Sequence, residues 1–198
     1  MHRIYGALIE IAASSVFIIP IFFIYGKIVF HNFKKTLWNI VFAFYLVAIS
    51  AVTGFPGITD LRLDVTLNIV PFIGMASDFK NSCLNVILFV PFGIFLPVLY
   101  DKYRNVKSTI IAGLCVTAFI ETMQIFTFRA SDINDIITNA AGTAVGYYIS
   151  KGITKNFSRY IMLDSGGNHL YLVCGTVGII MLLMQPFVSS LLWELIVR

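Results

Sequence analysis

Apolar positions along this chain come in long unbroken runs. Those at 7–25, 37–55, 83–100, 108–128, 133–149 and 170–188 each approach the roughly 20 residues that a helix needs to cross a hydrocarbon core. The third and fifth are short. Inside lipid every backbone N–H and C=O must be paired within the protein, which excludes open strands. The pattern therefore predicts an all-α fold, an integral membrane helical bundle of about six transmembrane helices. A further apolar piece, 67–75, is too short to cross and contains Pro71; it reads as a short interfacial or re-entrant segment. The first run follows Arg3, lacks a small-residue cleavage site and continues into a basic loop, so it reads as a helix and not as a cleaved signal. No internal repeat and no soluble module interrupts the pattern, and the chain reads as a single membrane domain, 1–198.

Composition supports this class. The chain is 58% hydrophobic and 12% charged, whereas a soluble domain carries about 25% charged residues. Its mean hydropathy is +0.86. A disordered chain and a coiled coil are excluded. The formal charge of +4 is dispersed among apolar runs, makes no patch and implies no nucleic-acid partner.

Charge also sets an orientation. The connections at 26–36, 101–107 and 150–169 hold nine Lys or Arg residues, and the other side holds five. Positive loops stay in the cytoplasm, so both termini are expected outside. Eight of the ten acids, including Glu121, Asp132 and Asp135, fall in the outer half or beyond. Cys83, Cys115 and Cys174 lie in separate spans without metal-ligand spacing and read as small core residues. His2, His31 and His169 are scattered over both sides. No metal ligands and no cofactor follow from these residues, and the oligomeric state stays open.

The candidate chemistry lies in the fourth and fifth runs. Glu121 is seven residues before the end of the fourth run, about 10 Å deep at 1.5 Å per residue. A charge near mid-bilayer costs about 2.5–3.5 kcal/mol, so Glu121 needs a partner, water or a proton. Gln124 shares its helix face at i+3. Asp132, Asp135, Asn139, Gly142 and Gly146 then recur on one face of the fifth helix. That face is polar at its outer end and, further in, small enough for close helix approach. Two helices joined by a short turn are antiparallel neighbours. Glu121 and Gln124 are thus expected to face Asn139 or Asp135, with Arg129 and Asp132 at the mouth of an outward-opening polar cleft. Asn85 joins it from the third run, where Pro91 and Pro97 free backbone carbonyls.

The stretch NVILFVPFGIFLP (85–97), with its Asn-x3-Phe-x-Pro-Phe-Gly pattern, resembles the VanZ-like membrane proteins. So does ETMQIFTFRASDINDIITNAAGTAVGY (121–147), with Glu-x2-Gln, Arg-x2-Asp-x2-Asp and Asn-x2-Gly, and so does Asn68-x2-Pro71-Phe72 upstream. The resemblance covers about 37–149, leaving 7–25 and 170–197 as extra helices. It implies a multi-pass protein of the bacterial plasma membrane. It also implies a role in reduced susceptibility to teicoplanin, a lipoglycopeptide directed at cell-wall precursors on the outer membrane face.

Three function classes follow. In a binding protein, Arg129, Gln124, Asn139 and Asn85 hold a membrane lipid or a lipid-linked cell-wall precursor. In an intramembrane enzyme on a lipid or polyprenyl-phosphate headgroup, Glu121 is the general acid or base. Asp132 and Asp135 then act with it, with oxygen ligands suited to a hard cation. In a scaffold of an envelope complex, the same residues only tie helices together. No activated Ser or Cys beside a His is legible, which favours binding over covalent catalysis.

Overall fold

The computed structural model of the protein describes residues 2–63, 66–75, 77–127, 130–161 and 169–197. In chain order it has α1 (His2–Tyr25) continuing into a π-helical turn (Gly26–Phe30), α2 (Phe33–Thr53), the two-residue strand β1 (Leu67–Asn68) and α3 (Phe79–Leu99). A 3-10 turn (Asp101–Tyr103), α4 (Val106–Gln124), β2 (Ser131–Asp132) and α5 (Ile133–Ile161) follow. The last helix is formed by α6 (Leu170–Ile179), a π-helical turn (Ile180–Met184) and α7 (Gln185–Val197). Six continuous helical bodies thus stand among the described residues, as the apolar runs predicted.

Five of them are long and apolar enough to cross a membrane: Tyr5–Phe30, Phe33–Thr53, Phe79–Leu99, Val106–Gln124 and Leu170–Leu195. The sixth, α5, is longer, at 29 residues, but spends one face on Asn134, Asp135, Thr138, Asn139 and Thr143 and is the most polar of the set. It also runs twelve residues beyond its predicted end at 149, into the stretch expected to be a connection. Conversely α4 ends at Gln124, four residues before the predicted 128. Phe126 N donates to Met123 O at 3.1 Å and Thr127 N to Gln124 O at 2.9 Å, closing the last turn. Glu121 therefore lies in the final helical turn, three residues or about 4.5 Å from its end, and not seven.

The chain divides into two compact units. The first comprises Met1–Leu63 and His169–Arg198. Its helix α2 starts where the Asn32 side chain accepts from Lys35 N at 3.2 Å. It stops at Gly54, whose φ of 73° is the left-handed C-terminal cap that glycine adopts without strain. Tyr25 and Thr176 share a hydroxyl hydrogen bond of 3.0 Å, and Ile58 N donates to Leu182 O at 2.8 Å. His169 lies edge-on to Phe30; burial, then the charge of Lys35, hold its imidazole below the usual range. The cysteines are free, but none is a core residue: Cys115 is exposed and Cys83 and Cys174 are half-buried.

The second unit, Asp64–Asn168, is built on α3, α4 and α5. A Cβ added at Gly142 would overlap the Val86 carbonyl oxygen, one at Gly146 that of Val90, and one at Gly93 that of Thr143. Residues 86 to 90 meet 142 to 146 in the same direction, so α3 and α5 run parallel with backbones in contact. This is the close approach that small residues permit in membranes, with Cα–H groups against carbonyl oxygens. The glycine step of α5, expected to allow close packing, thus serves α3. Against α5, α4 runs antiparallel. Its Gly113 abuts the Thr143 side chain, and Asn139 Nδ2 donates to Thr117 Oγ1 at 2.8 Å. Phe89 and Phe92 on α3 are completely buried.

Candidate functional site

Parallel α3 and α5 with antiparallel α4 bring three ends together: the start of α3, the end of α4 and the start of α5. The polar residues collect there. Asp132 caps α5, its Oδ1 accepting from Asn134 N at 2.8 Å. Its other oxygen accepts from Asn68 Nδ2 at 3.0 Å. Asp135 stands in the first turn of α5, where a carboxylate is favoured by the helix dipole. Its Oδ1 accepts from Asn85 Nδ2, on α3, at 2.7 Å.

Glu121 has no such local justification. It sits near the C-terminal end of α4, where the dipole disfavours negative charge, and is only 4% exposed. Its Oε2 accepts from Asp132 N at 2.9 Å, and the Ser131 side chain is a second hydrogen-bond partner. The carboxylates of Asp132 and Asp135 are close enough to act on it electrostatically. Three acids from the ends of two helices thus share one site.

A short loop roofs the cluster. Strand β1 pairs in parallel with β2, Leu67 opposite Ser131 and Asn68 opposite Asp132, and Ser131 N donates to Thr66 O at 3.0 Å. Beyond β1 the loop is held by the Asn134 side chain. Its Oδ1 accepts from Phe72 N at 2.7 Å and its Nδ2 donates to Ile73 O at 3.0 Å. Phe72 adopts φ = 65°, the left-handed region that a bulky side chain rarely enters. The two amide bonds offset that strain. Ile69, Phe72 and Ile73 are strongly exposed, and the segment 67–75, expected to be interfacial or re-entrant, is built of a two-residue strand and turns.

Most of the predicted site residues converge. Glu121, Asp132, Asp135 and Asn85 meet at this end. Asn139 lies a turn further along α5 and bonds to Thr117, not to Glu121. Its Oδ1 is buried without a hydrogen-bond partner among the described residues, an acceptor whose desolvation costs about 1–3 kcal/mol when unmet. Gln124 is buried at the end of α4. Arg129 lies outside the described residues. Sequence reasoning missed Asn134, Asn68 and Thr117 as parts of the site. Asn68 carried a signal in its motif, and Asn134 in its place two residues after the capping Asp132. Thr117 carried none. Among the described residues no group of three or more His, Cys, Asp or Glu is arranged to hold a metal ion. The oxygens of Asp132 and one of Asp135 are already engaged by protein donors.

A multi-pass helical membrane protein with an acid-and-amide cluster at one end of a parallel helix pair is the class these features define. The VanZ/LLP1 family model matches residues 42–154, more than half of the chain, and the protein belongs to that family. Protein VanZ of Enterococcus faecium is 32% identical over 81 residues, covering 41% of this chain and 50% of that protein. The chain thus spans about half the length of the curated relative it matches. No solved structure matches.

Proposed function

We propose that this polar end of the second unit binds the headgroup of a lipid-linked cell-wall precursor at the outer face of a bacterial plasma membrane. Holding the precursor changes the access of teicoplanin-type lipoglycopeptides and lowers susceptibility to them. One observation carries the reading: Glu121, buried against the dipole of its own helix, closes onto Asp132 and Asp135 where strictly structural packing would favour an apolar residue. Carboxylates beside the amides of Asn68, Asn85 and Asn139 match hydroxyl and amide groups of a sugar or peptide. In this reading Arg129 meets the phosphate. The outward orientation rests on the bias of basic residues, nine against five.

The same carboxylate supports a second reading, an intramembrane enzyme in which Glu121 exchanges a proton with a lipid or polyprenyl-phosphate headgroup. Glu121→Gln tests the role of the charge, because the new carbonyl oxygen still accepts from Asp132 N. Expressed in a susceptible host, the variant is expected to lose at least about tenfold of the protective effect on the inhibitory teicoplanin concentration. Its thermal unfolding in detergent should stay unchanged. Full protection by a folded Glu121→Gln protein refutes both readings. With purified protein and labelled precursor in nanodiscs, one-to-one saturation without product identifies a binder. Product that disappears with Glu121→Gln identifies an enzyme.

A further inference from the structure

At the far end of the second unit lies a groove of about 550 Å³, between the end of α3 at Pro97, Arg104 after the 3-10 turn, and Tyr147, Ser150, Lys151 and Gly152 of α5. This is the size of a small-molecule or acyl-chain site. Its walls are mainly apolar and its rim is cationic. Arg104 is partly exposed and paired with Asp101. The Lys151 ammonium stands 5.7 Å from the centroid of the Tyr147 ring, a neutral partner; among the described residues no ion pair to Lys151 is formed. Lys102 on the same connection and Lys107 in the first turn of α4, both exposed, add charge, against Asp101 as the acid.

The hydroxyls at the groove serve the protein itself. Ser150 Oγ donates to Tyr147 O at 2.7 Å, and Tyr147 OH donates to Arg104 O at 2.9 Å, tying α5 to the connection before α4. Charge and apolar surface are what remain to recognise a ligand. From Ile133 to Lys151, α5 rises about 27 Å, close to the roughly 30 Å of a hydrocarbon core. With the carboxylate cluster at one membrane surface, Arg104 and Lys151 therefore reach the other.

The geometry points to a binding site for an anionic phospholipid, its phosphate between Arg104 and Lys151 and an acyl chain along the apolar walls. This site shares no residue with the precursor reading, so either stands if the other fails.

The test uses the full chain, purified in detergent and exchanged against equimolar phosphatidylglycerol and phosphatidylcholine, with retained lipid measured by mass spectrometry. Phosphatidylglycerol is expected to predominate, and its retention to fall roughly fivefold for each cation removed in Arg104→Gln and Lys151→Gln. Gly152→Leu supplies an arm that leaves charge alone. No atom lies within 4 Å of a Cβ at Gly152, and leucine is the better helix former, so the fold is kept while the groove is filled. Its expected result is loss of the bound lipid. Equal retention of the two lipids, or unchanged retention in the double charge variant or in Gly152→Leu, overturns the proposal. Displacement of phosphatidylglycerol by inorganic phosphate at comparable concentration overturns it too, since a free-anion site needs no chain groove.

Discussion

Asn134 is the residue whose removal would tell most about how the polar cluster is held. One side-chain amide satisfies the Phe72 N–H and the Ile73 carbonyl, and so keeps a left-handed phenylalanine in place. Asn134→Ala should cost about 1–3 kcal/mol, the net worth of the two hydrogen bonds it removes. The effect should be local: faster amide exchange at 66–75, with α3 and α5 still protected. Unchanged exchange in that loop would show that β1 alone anchors it.

The same scale shows what a sequence can and cannot reveal. Glu121, Asp132 and Asp135 stood out because charges are costly in apolar runs. Their partners did not, since helical periodicity gives a face without naming its neighbour. Glu121 and Gln124 were expected to face Asn139 or Asp135; Asp135 lies close enough to act on Glu121, whereas Asn139 meets Thr117, an unremarkable threonine on an apolar helix. Asn134 reads in the sequence as one more polar residue after a turn, and only the folded loop shows what its amide spans.

At the scale of elements, α3 and α5 form the tightest association in the second unit. Glycines at 93, 142 and 146 lie where any side chain would strike a carbonyl of the facing helix. Gly142→Leu adds no charge and improves helix propensity by about 1 kcal/mol at most. Overpacking of about 1–3 kcal/mol or more opposes it, and the collision is with backbone, which cannot swing aside. The expected result is a lower unfolding temperature and loss of function with every polar residue of the cluster intact. An unfolding temperature equal to that of the unmodified protein would mean that the helices separate freely. The parallel pairing was hidden because α3 and α5 are not consecutive, whereas the antiparallel contact of α4 and α5 follows from a short connection. The early end of α4 was hidden as well. Ile125 and Phe126 continue its apolar run in the sequence, but the chain turns there to bring Asp132 N to Glu121.

For the whole molecule, six helical bodies were legible because length and apolarity are what a bilayer demands, and five meet both requirements among the described residues. Which surface each end faces is the matter to be tested. In a cysteine-free background, single cysteines at Lys80 and Lys107 should label differently with a membrane-impermeant maleimide in intact cells. Lys80→Cys should react, and Lys107→Cys should react only after permeabilisation. The opposite result would place the carboxylates on the cytosolic face and remove the outer-face reading.

The parallel seam also dictates an order of assembly. As the chain is synthesised, α3 enters the bilayer with two prolines in its interior and no mate for its exposed carbonyls. It must wait through the whole of α4 before Gly142 and Gly146 emerge. Until then its Asn85 amide lacks the carboxylate of Asp135, so a nascent chain halted after α4 is a poorly mated intermediate. The step that completes the second unit is therefore the same event that creates the polar cluster: the arrival of α5 both locks α3 and α4 and completes the chemistry.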